Sequence, residues 1–164
     1  MNLNIILFII GWTVTTMVPP DLATVRKTYQ EAADSEVITK QMYDEMLSVG
    51  KNDNPTLIAY KGAVATLMSK YAEGIKAKKT FFKEGKELLE YAITKEPENV
   101  EIRCVRLSVQ ENVPKITGYK KNIEEDKEFV LDHFNSMTDS GAKNFVQGYV
   151  QLSDAFSDTE KQLF

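Results

Sequence analysis

The feature that most constrains the fold is a helical spacing of apolar residues that proline and glycine interrupt at short intervals. From residue 22 onward, apolar side chains recur every three or four positions, which is the period of an α-helix with one buried face. No alternating run of four or more residues is flanked by hairpin turns, so strand signals are absent from the sequence. The sequence therefore predicts an all-α protein. Its about six to seven helices are joined by short loops, which makes neighbouring helices antiparallel.

Capping and breaking residues set the ends of the predicted helices. Asn54 and Asn99 are expected to be N-caps, Pro55 fits the first position of a helix, and Pro97 and Pro114 each end one. The predicted helices cover about 20–33, 35–50, 55–72, 81–96, 99–113, 118–137 and 142–156, and residues 73–79 form a linker. The helix at 55–72 is apolar nearly all round, so we expect a central position for it. Its small residues, Gly62 among them, allow a neighbouring helix to approach closely.

The first residues differ from the rest of the chain. Residues 5–10 are all apolar, and no charged side chain appears before Asp21. This run is too short for an ordinary spanning helix but suits the central part of a secretory signal peptide. We therefore predict a signal peptide at 1–19, a single helical domain at 20–157 and a frayed tail at 158–164, in a periplasmic or secreted protein. An uncleaved membrane anchor and a buried N-terminal segment are the alternatives for residues 1–19.

Charge and residue counts narrow the classes of function. The formal net charge is -4 and the isoelectric point is near 5.2, which argues against a nucleic-acid-binding protein. The lysines of 76–79 and 119–121 are interpreted as solvated surface, offset by the acidic run 124–128. The lone Cys104 is expected in the core, and His133 at the surface or its boundary. No metal site, cofactor or catalytic activity is predicted, and no membrane contact beyond the leader.

One corner of the chain carries a family resemblance. Gly85, Leu89, Ala92 and Pro97 resemble the second helix and closing corner of a tetratricopeptide repeat, and residues 99–105 resemble the entry to the next repeat. Gly62 and Ala65 would be the small residues of the preceding helix, so the resemblance covers about residues 55–105. It implies antiparallel hairpins stacked in a right-handed array. The usual tryptophan and tyrosine of the motif are missing, and a compact helical bundle is the alternative.

A polar stripe on the fifth predicted helix is the candidate binding site. Arg103, Arg106 and Gln110 fall on one helical face between apolar residues, and Asn112 and Tyr119 extend the polar region into the following loop. In one interpretation the arginines pair with loop carbonyls and with acids such as Glu101, Glu111 or Glu124, and so join helical layers. In the other, the stripe lines a groove that accepts a carboxylate or an extended peptide.

These features lead to one functional hypothesis and one alternative. The hypothesis is an exported, tetratricopeptide-like binding module for a protein or peptide partner, in which Arg103 and Arg106 donate charge-assisted hydrogen bonds. The alternative is a small-molecule carrier of the cell envelope that encloses an apolar ligand in its helical core, because several predicted helices are rich in aromatic residues.

Overall fold

The structure of the protein is a computed structural model that describes residues 18–164. The predicted signal peptide lies almost entirely outside the described residues, so export stays a prediction. The described part contains eight α-helices, three short 3₁₀ turns and no strand, which confirms the all-α prediction. The helices are α1 (Leu22–Ala32), α2 (Glu36–Glu45), α3 (Pro55–Tyr71), α4 (Gly74–Lys95), α5 (Val100–Asn112), α6 (Ile123–His133), α7 (Ser140–Leu152) and α8 (Asp158–Lys161).

The odd-numbered helices form an inner ring. Helix α1 contacts α3, α3 contacts α5, α5 contacts α7, and α7 contacts α1 again. Helices α2, α4 and α6 pack outside this ring, with α2 on α1 and α3, α4 on α3 and α5, and α6 on α5. The N-terminal residues of α1, α3, α5 and α7 all line one cleft, so these four helices begin at the same end of the molecule.

Side-chain caps explain why the inner helices begin where they do. Asn54 Oδ1 accepts a hydrogen bond from the Thr56 amide at 2.8 Å, and Asn99 Oδ1 accepts one from the Ile102 amide at 3.1 Å. Both predicted caps are therefore confirmed. Asp21 and Asp139 cap α1 and α7 in the same way. Each cap satisfies an amide that the first helical turn leaves without a partner.

Helices α3 and α4 form the tightest hairpin, and two glycines permit it. A Cβ atom added at Gly62 would lie 2.7 Å from the Gly85 carbonyl oxygen and 2.9 Å from the Leu89 amide nitrogen. A Cβ added at Gly85 would lie 2.5 Å from Thr66 Cγ2. The predicted close approach of a neighbour at Gly62 is thus confirmed. The predicted linker 73–79 is wrong, because Gly74 takes a positive φ of 77° and α4 begins there.

The core is continuous from α1 to the segment after α7. Its centre is an aromatic cluster in which the Tyr60 ring lies 5.3 Å from Tyr29 and 5.4 Å from Phe145. Cys104 is fully buried, as expected for a small core residue. His133 is half-buried and stacks on Phe129 with ring centroids 4.1 Å apart.

The end of the chain folds back onto the domain, which differs from the predicted frayed tail. Ser157 and Glu160 form a reciprocal capping box that begins α8. The Phe164 ring lies 4.5 Å from that of Phe134, and Lys127 pairs with Glu160 at 2.9 Å. Because the apolar anchor is a single terminal phenylalanine, the segment has no apolar period for sequence reasoning to detect. Within residues 18–164, no helix combines the length and the apolar character that crossing a bilayer requires.

Candidate functional site

Most of the predicted stripe on α5 is buried, since Arg106 and Gln110 are buried and Arg103 is half-buried. Arg106 is 3% exposed, and its guanidinium forms a two-pronged bond with Asp126 of α6, with both nitrogen–oxygen distances 2.7 Å. Its third nitrogen donates to Glu90 of α4 at 3.1 Å. Burial opposes the charge of this guanidinium, but the hydrogen bonds to Asp126 together with the negative charges of Asp126 and Glu90 outweigh it, so the pKa of Arg106 lies above its ordinary value. The side chain therefore joins three helices.

Arg103 and Tyr119 belong to the same network. Arg103 donates to the Pro97 carbonyl at 2.9 Å and to Glu125 at 2.6 Å, and its guanidinium lies over the Phe129 ring. The buried Tyr119 hydroxyl donates to Glu90 at 2.7 Å. Burial and the nearby Glu90 carboxylate raise the pKa of this phenol, so it is a neutral donor at physiological pH.

Gln110 and Asn112, the other two predicted residues, do not join the network. Gln110 is fully buried, and within the described chain its side-chain nitrogen and oxygen have no hydrogen-bond partner. Asn112 is exposed and donates to the Ser108 carbonyl at 2.8 Å. Arg106, Gln110 and Tyr119 could reach a partner only if the packing around α5 opened. The binding role of the five residues stays a prediction.

Two of the acids expected to neutralise the stripe, Glu101 and Glu111, have other partners. Glu111 accepts hydrogen bonds from the hydroxyls of Tyr149 and Ser153, and from the amides of Asp154 and Ala155. It therefore fixes the turn that follows α7. The acids that neutralise the arginines are Asp126, Glu125 and Glu90, which the spacing along the chain did not single out.

A second buried ion pair joins α1 to α5. Glu101 is buried, and its two carboxylate oxygens accept from Arg26 Nε and Nη2 at 2.7 and 2.8 Å. The Tyr60 hydroxyl donates to the same carboxylate at 2.9 Å. The bond to Glu101 is the main reason why the pKa of Arg26 lies above its ordinary value. Sequence reasoning missed this pair because its partners lie 75 positions apart and share no motif.

The Arg26–Glu101 pair lies beside a cleft of about 390 Å³, formed where the inner helices begin. The corner between α4 and α5 provides one wall with Glu96, Glu98 and Asn99, and the loop before α7 provides another, ending at Asp139. Asp139 is 58% exposed, and its pKa is lowered by hydrogen bonds from the Ala142 amide and from Arg26. Because Glu101 is already neutralised by Arg26, carboxylates dominate the charge that remains on the walls.

Among residues 18–164, no three histidine, cysteine or carboxylate side chains are grouped so that they could hold a metal ion. No family model, curated protein or solved structure matches the chain. The tetratricopeptide resemblance stays a prediction.

Proposed function

We propose that this protein is a non-catalytic helical module that binds a protein or peptide partner, with the cleft at the start of the inner helices as its binding site. The observation that supports the proposal is the group of carboxylates around that cleft. Glu98 is exposed, and within residues 18–164 no salt bridge or hydrogen bond engages its side chain. Asp139 faces the same space with more than half of its side chain exposed.

The cleft favours a cationic group from the partner. A lysine or arginine side chain entering it would approach Glu96 and Glu98. It would also approach Asp139, which accepts a hydrogen bond from Arg26 at 3.2 Å while Arg26 is paired mainly with Glu101. Carboxylates at the mouth of a concave site attract a cation more strongly than the same charges on a flat surface, because the low-dielectric walls focus the field. A volume of about 390 Å³ accommodates one long side chain and some of its backbone.

Polar groups beside the carboxylates can bind the backbone of an extended segment. Asn54, Ser136 and Thr138 line the cleft and are exposed. Asn54 Oδ1 caps α3 and the Ser136 hydroxyl donates to the His133 carbonyl, which leaves the Asn54 side-chain nitrogen as a donor and the Ser136 and Thr138 hydroxyl oxygens as acceptors. An extended peptide needs such groups because its own amides and carbonyls lose water on binding. The occupant that we propose is therefore a short extended segment with a central lysine or arginine.

The structure offers a reason to rank the carrier alternative lower. The aromatic residues that suggested an enclosed apolar ligand pack on one another, as in the contacts among Tyr29, Tyr60 and Phe145. These aromatic side chains fill the space between the inner helices, so their surfaces contact other protein atoms rather than a ligand. The carrier function nevertheless stays a prediction that native mass spectrometry of protein from its own host can test.

The test is selection of binding peptides followed by calorimetry. A random peptide library selected on the full-length protein should yield sequences with a recurrent lysine or arginine, and Glu98→Lys should weaken their binding by about tenfold or more, in the range of a close charge reversal. Asp34→Lys makes the same charge change on an exposed residue between α1 and α2, away from the cleft, and should leave affinity unchanged. Enriched peptides without a basic residue, or equal affinity for both variants, would contradict the proposal.

A further inference from the structure

The end of the molecule opposite the cleft carries a basic surface that the proposed function does not use. It is formed by the first turns of α4 and by the loop between α5 and α6, and we name it the basic end. Its members are Ile75, Lys76, Lys78, Lys79 and Lys86 of α4, and Lys115, Ile116, Lys120 and Lys121 of the loop. The cleft lies where the inner helices begin, whereas this surface lies at the start of α4 and after the end of α5.

Tertiary contacts bring the two segments together. The Phe82 ring of α4 lies 6.0 Å from the Tyr119 ring of the loop, and Lys86 Nζ lies 5.4 Å from the centroid of that same ring. Positions 75, 79, 82 and 86 fall on one face of a helix. Since Phe82 and Lys86 meet the loop, Ile75 and Lys79 extend the same face beyond it.

The basic end has a large local excess of positive charge in a protein whose net charge is negative. Residues 74–86 and 114–121 together contain one carboxylate and eight lysines, seven of which belong to the basic end, whereas Lys83 pairs with Glu87 at 3.7 Å. That carboxylate, Glu84, accepts a hydrogen bond from Tyr43 of α2, on another side of α4. Among the described residues, no carboxylate lies within salt-bridge distance of Lys78, Lys79 or Lys121.

Two isoleucines project from the basic end. Ile75 is 74% exposed and directly precedes Lys76, and Ile116 is 95% exposed and directly follows Lys115. The turn that carries Ile116 is fixed by local bonds, because the Gly118 amide donates to the Lys115 carbonyl and Gly118 takes the left-handed conformation at φ 65°. A rigid turn therefore holds an aliphatic side chain outward between lysines, at an energetic cost in water that a partner would relieve.

We propose that the basic end docks on the surface of an anionic lipid bilayer, with the lysines at the phosphate headgroups and Ile75 and Ile116 in the acyl boundary. Lysines beside aliphatic side chains match the two layers of such a surface, which is charged outside and apolar beneath. A nucleic acid provides the charge but no apolar layer for two isoleucines, and the basic end shows no exposed aromatic residue for base stacking. An acidic protein is the competing partner that the test has to separate.

The experiment is sedimentation of the full-length protein with phosphatidylcholine vesicles, with and without phosphatidylglycerol. Residues 1–20 contain no charged side chain, so any binding that they cause should be similar for both lipids, and the difference between the lipids is the measured quantity. Binding to the anionic vesicles should exceed binding to the neutral ones and should fall as salt is raised. Lys79→Glu with Lys121→Glu should weaken anionic binding by at least about 25-fold, because each lysine contributes about fivefold.

A matched control reverses two lysines elsewhere. Lys51 and Lys95 are exposed and both lie over the Tyr91 ring, away from the basic end, so Lys51→Glu with Lys95→Glu gives the same net charge and should bind anionic vesicles as the wild type does. Ile75→Ser with Ile116→Ser should weaken binding at every salt concentration. Equal loss in both charge variants, or full binding by the isoleucine variant, would refute bilayer docking and favour an acidic protein. Circular dichroism confirms that each variant is folded, and Lys→Gln versions replace any that is not.

Discussion

The sharpest test of the fold is the substitution Gly85→Ala in the α3–α4 hairpin. Alanine is normally better than glycine inside a helix by about 1 kcal/mol, so the local effect alone would stabilise α4. Here the added methyl group would meet atoms that cannot rotate away. It would lie 2.8 Å from the Thr66 amide nitrogen and closer still to the Gly62 carbonyl oxygen, both of which belong to the α3 backbone.

The size of the effect follows from these two opposed contributions. Ordinary carbon contacts need about 3.5 Å or more, so the two helices must separate by roughly 1 Å, which loosens the packing along the hairpin. Overpacking of this kind costs typically about 1–3 kcal/mol, and the cost lies at the upper end because the opposing atoms are backbone. After the helix-propensity gain is subtracted, we expect the free energy of unfolding to fall by about 2 kcal/mol. Urea denaturation followed by circular dichroism measures it.

Gly148→Ala provides the matched control in α7. A Cβ atom at Gly148 would meet only the flexible end of Gln30, at an ordinary distance of 3.5 Å. The same substitution should therefore raise the free energy of unfolding by up to about 1 kcal/mol. The reasoning fails if Gly85→Ala is as stable as the wild type, or if both variants shift in the same direction by similar amounts.

Three other perturbations test the buried polar groups and the chain end. Asp126→Asn should lower the free energy of unfolding by about 3–5 kcal/mol in urea denaturation, because Arg106 stays buried and charged. Glu125→Gln, on the exposed side of the network, should lower it by under about 1 kcal/mol. Burial raises the pKa of the Cys104 thiol, so a thiol reagent should modify it only in denaturant, and rapid modification of the native protein would contradict its burial. Hydrogen bonds from the Ser157 amide and Lys127 lower the pKa of Glu160 to about 2 from 4.5. The ionised Glu160 carboxylate therefore stabilises the folded chain end above pH 4.5, and this stabilisation is lost as the pH falls toward 2. The NMR signals of Phe164 should shift over that interval in the wild type but not in Glu160→Gln.

Local sequence signals predicted those helix boundaries at which one or two residues fix the backbone conformation. Asn54 with Pro55, and Pro97 with Asn99, set helix boundaries that the structure reproduces, because capping and the missing proline amide act within one turn. The start of α4 was missed because its first turns expose Ile75 and carry lysines, so no apolar period marks them. Their helical state depends on Gly74 turning the chain and on the packing of α4 against α3.

The candidate site was less predictable than the fold. Sequence reasoning found the arginines of α5, since a polar stripe on an apolar helix is visible in the spacing of residues. It assigned them the wrong acids, because Glu90 and Asp126 lie 16 and 20 positions from Arg106 and come from different helices. The cleft was not foreseen at all, since its walls come from four separate stretches between Leu22 and Ala142.

The sequence by itself determined that this protein is helical, where most of its helices begin and end, and that two glycines allow one hairpin to close tightly. These properties depend on backbone preferences and on apolar spacing within a few residues. Only the tertiary structure decided that Arg106 and Gln110 of the stripe are buried, that Arg26 neutralises Glu101, and that several carboxylates lie at one end of the molecule and several lysines at the other. Those outcomes depend on which distant side chains the packing brings within hydrogen-bonding range. The partner of a charged residue is therefore fixed only when the helices have assembled.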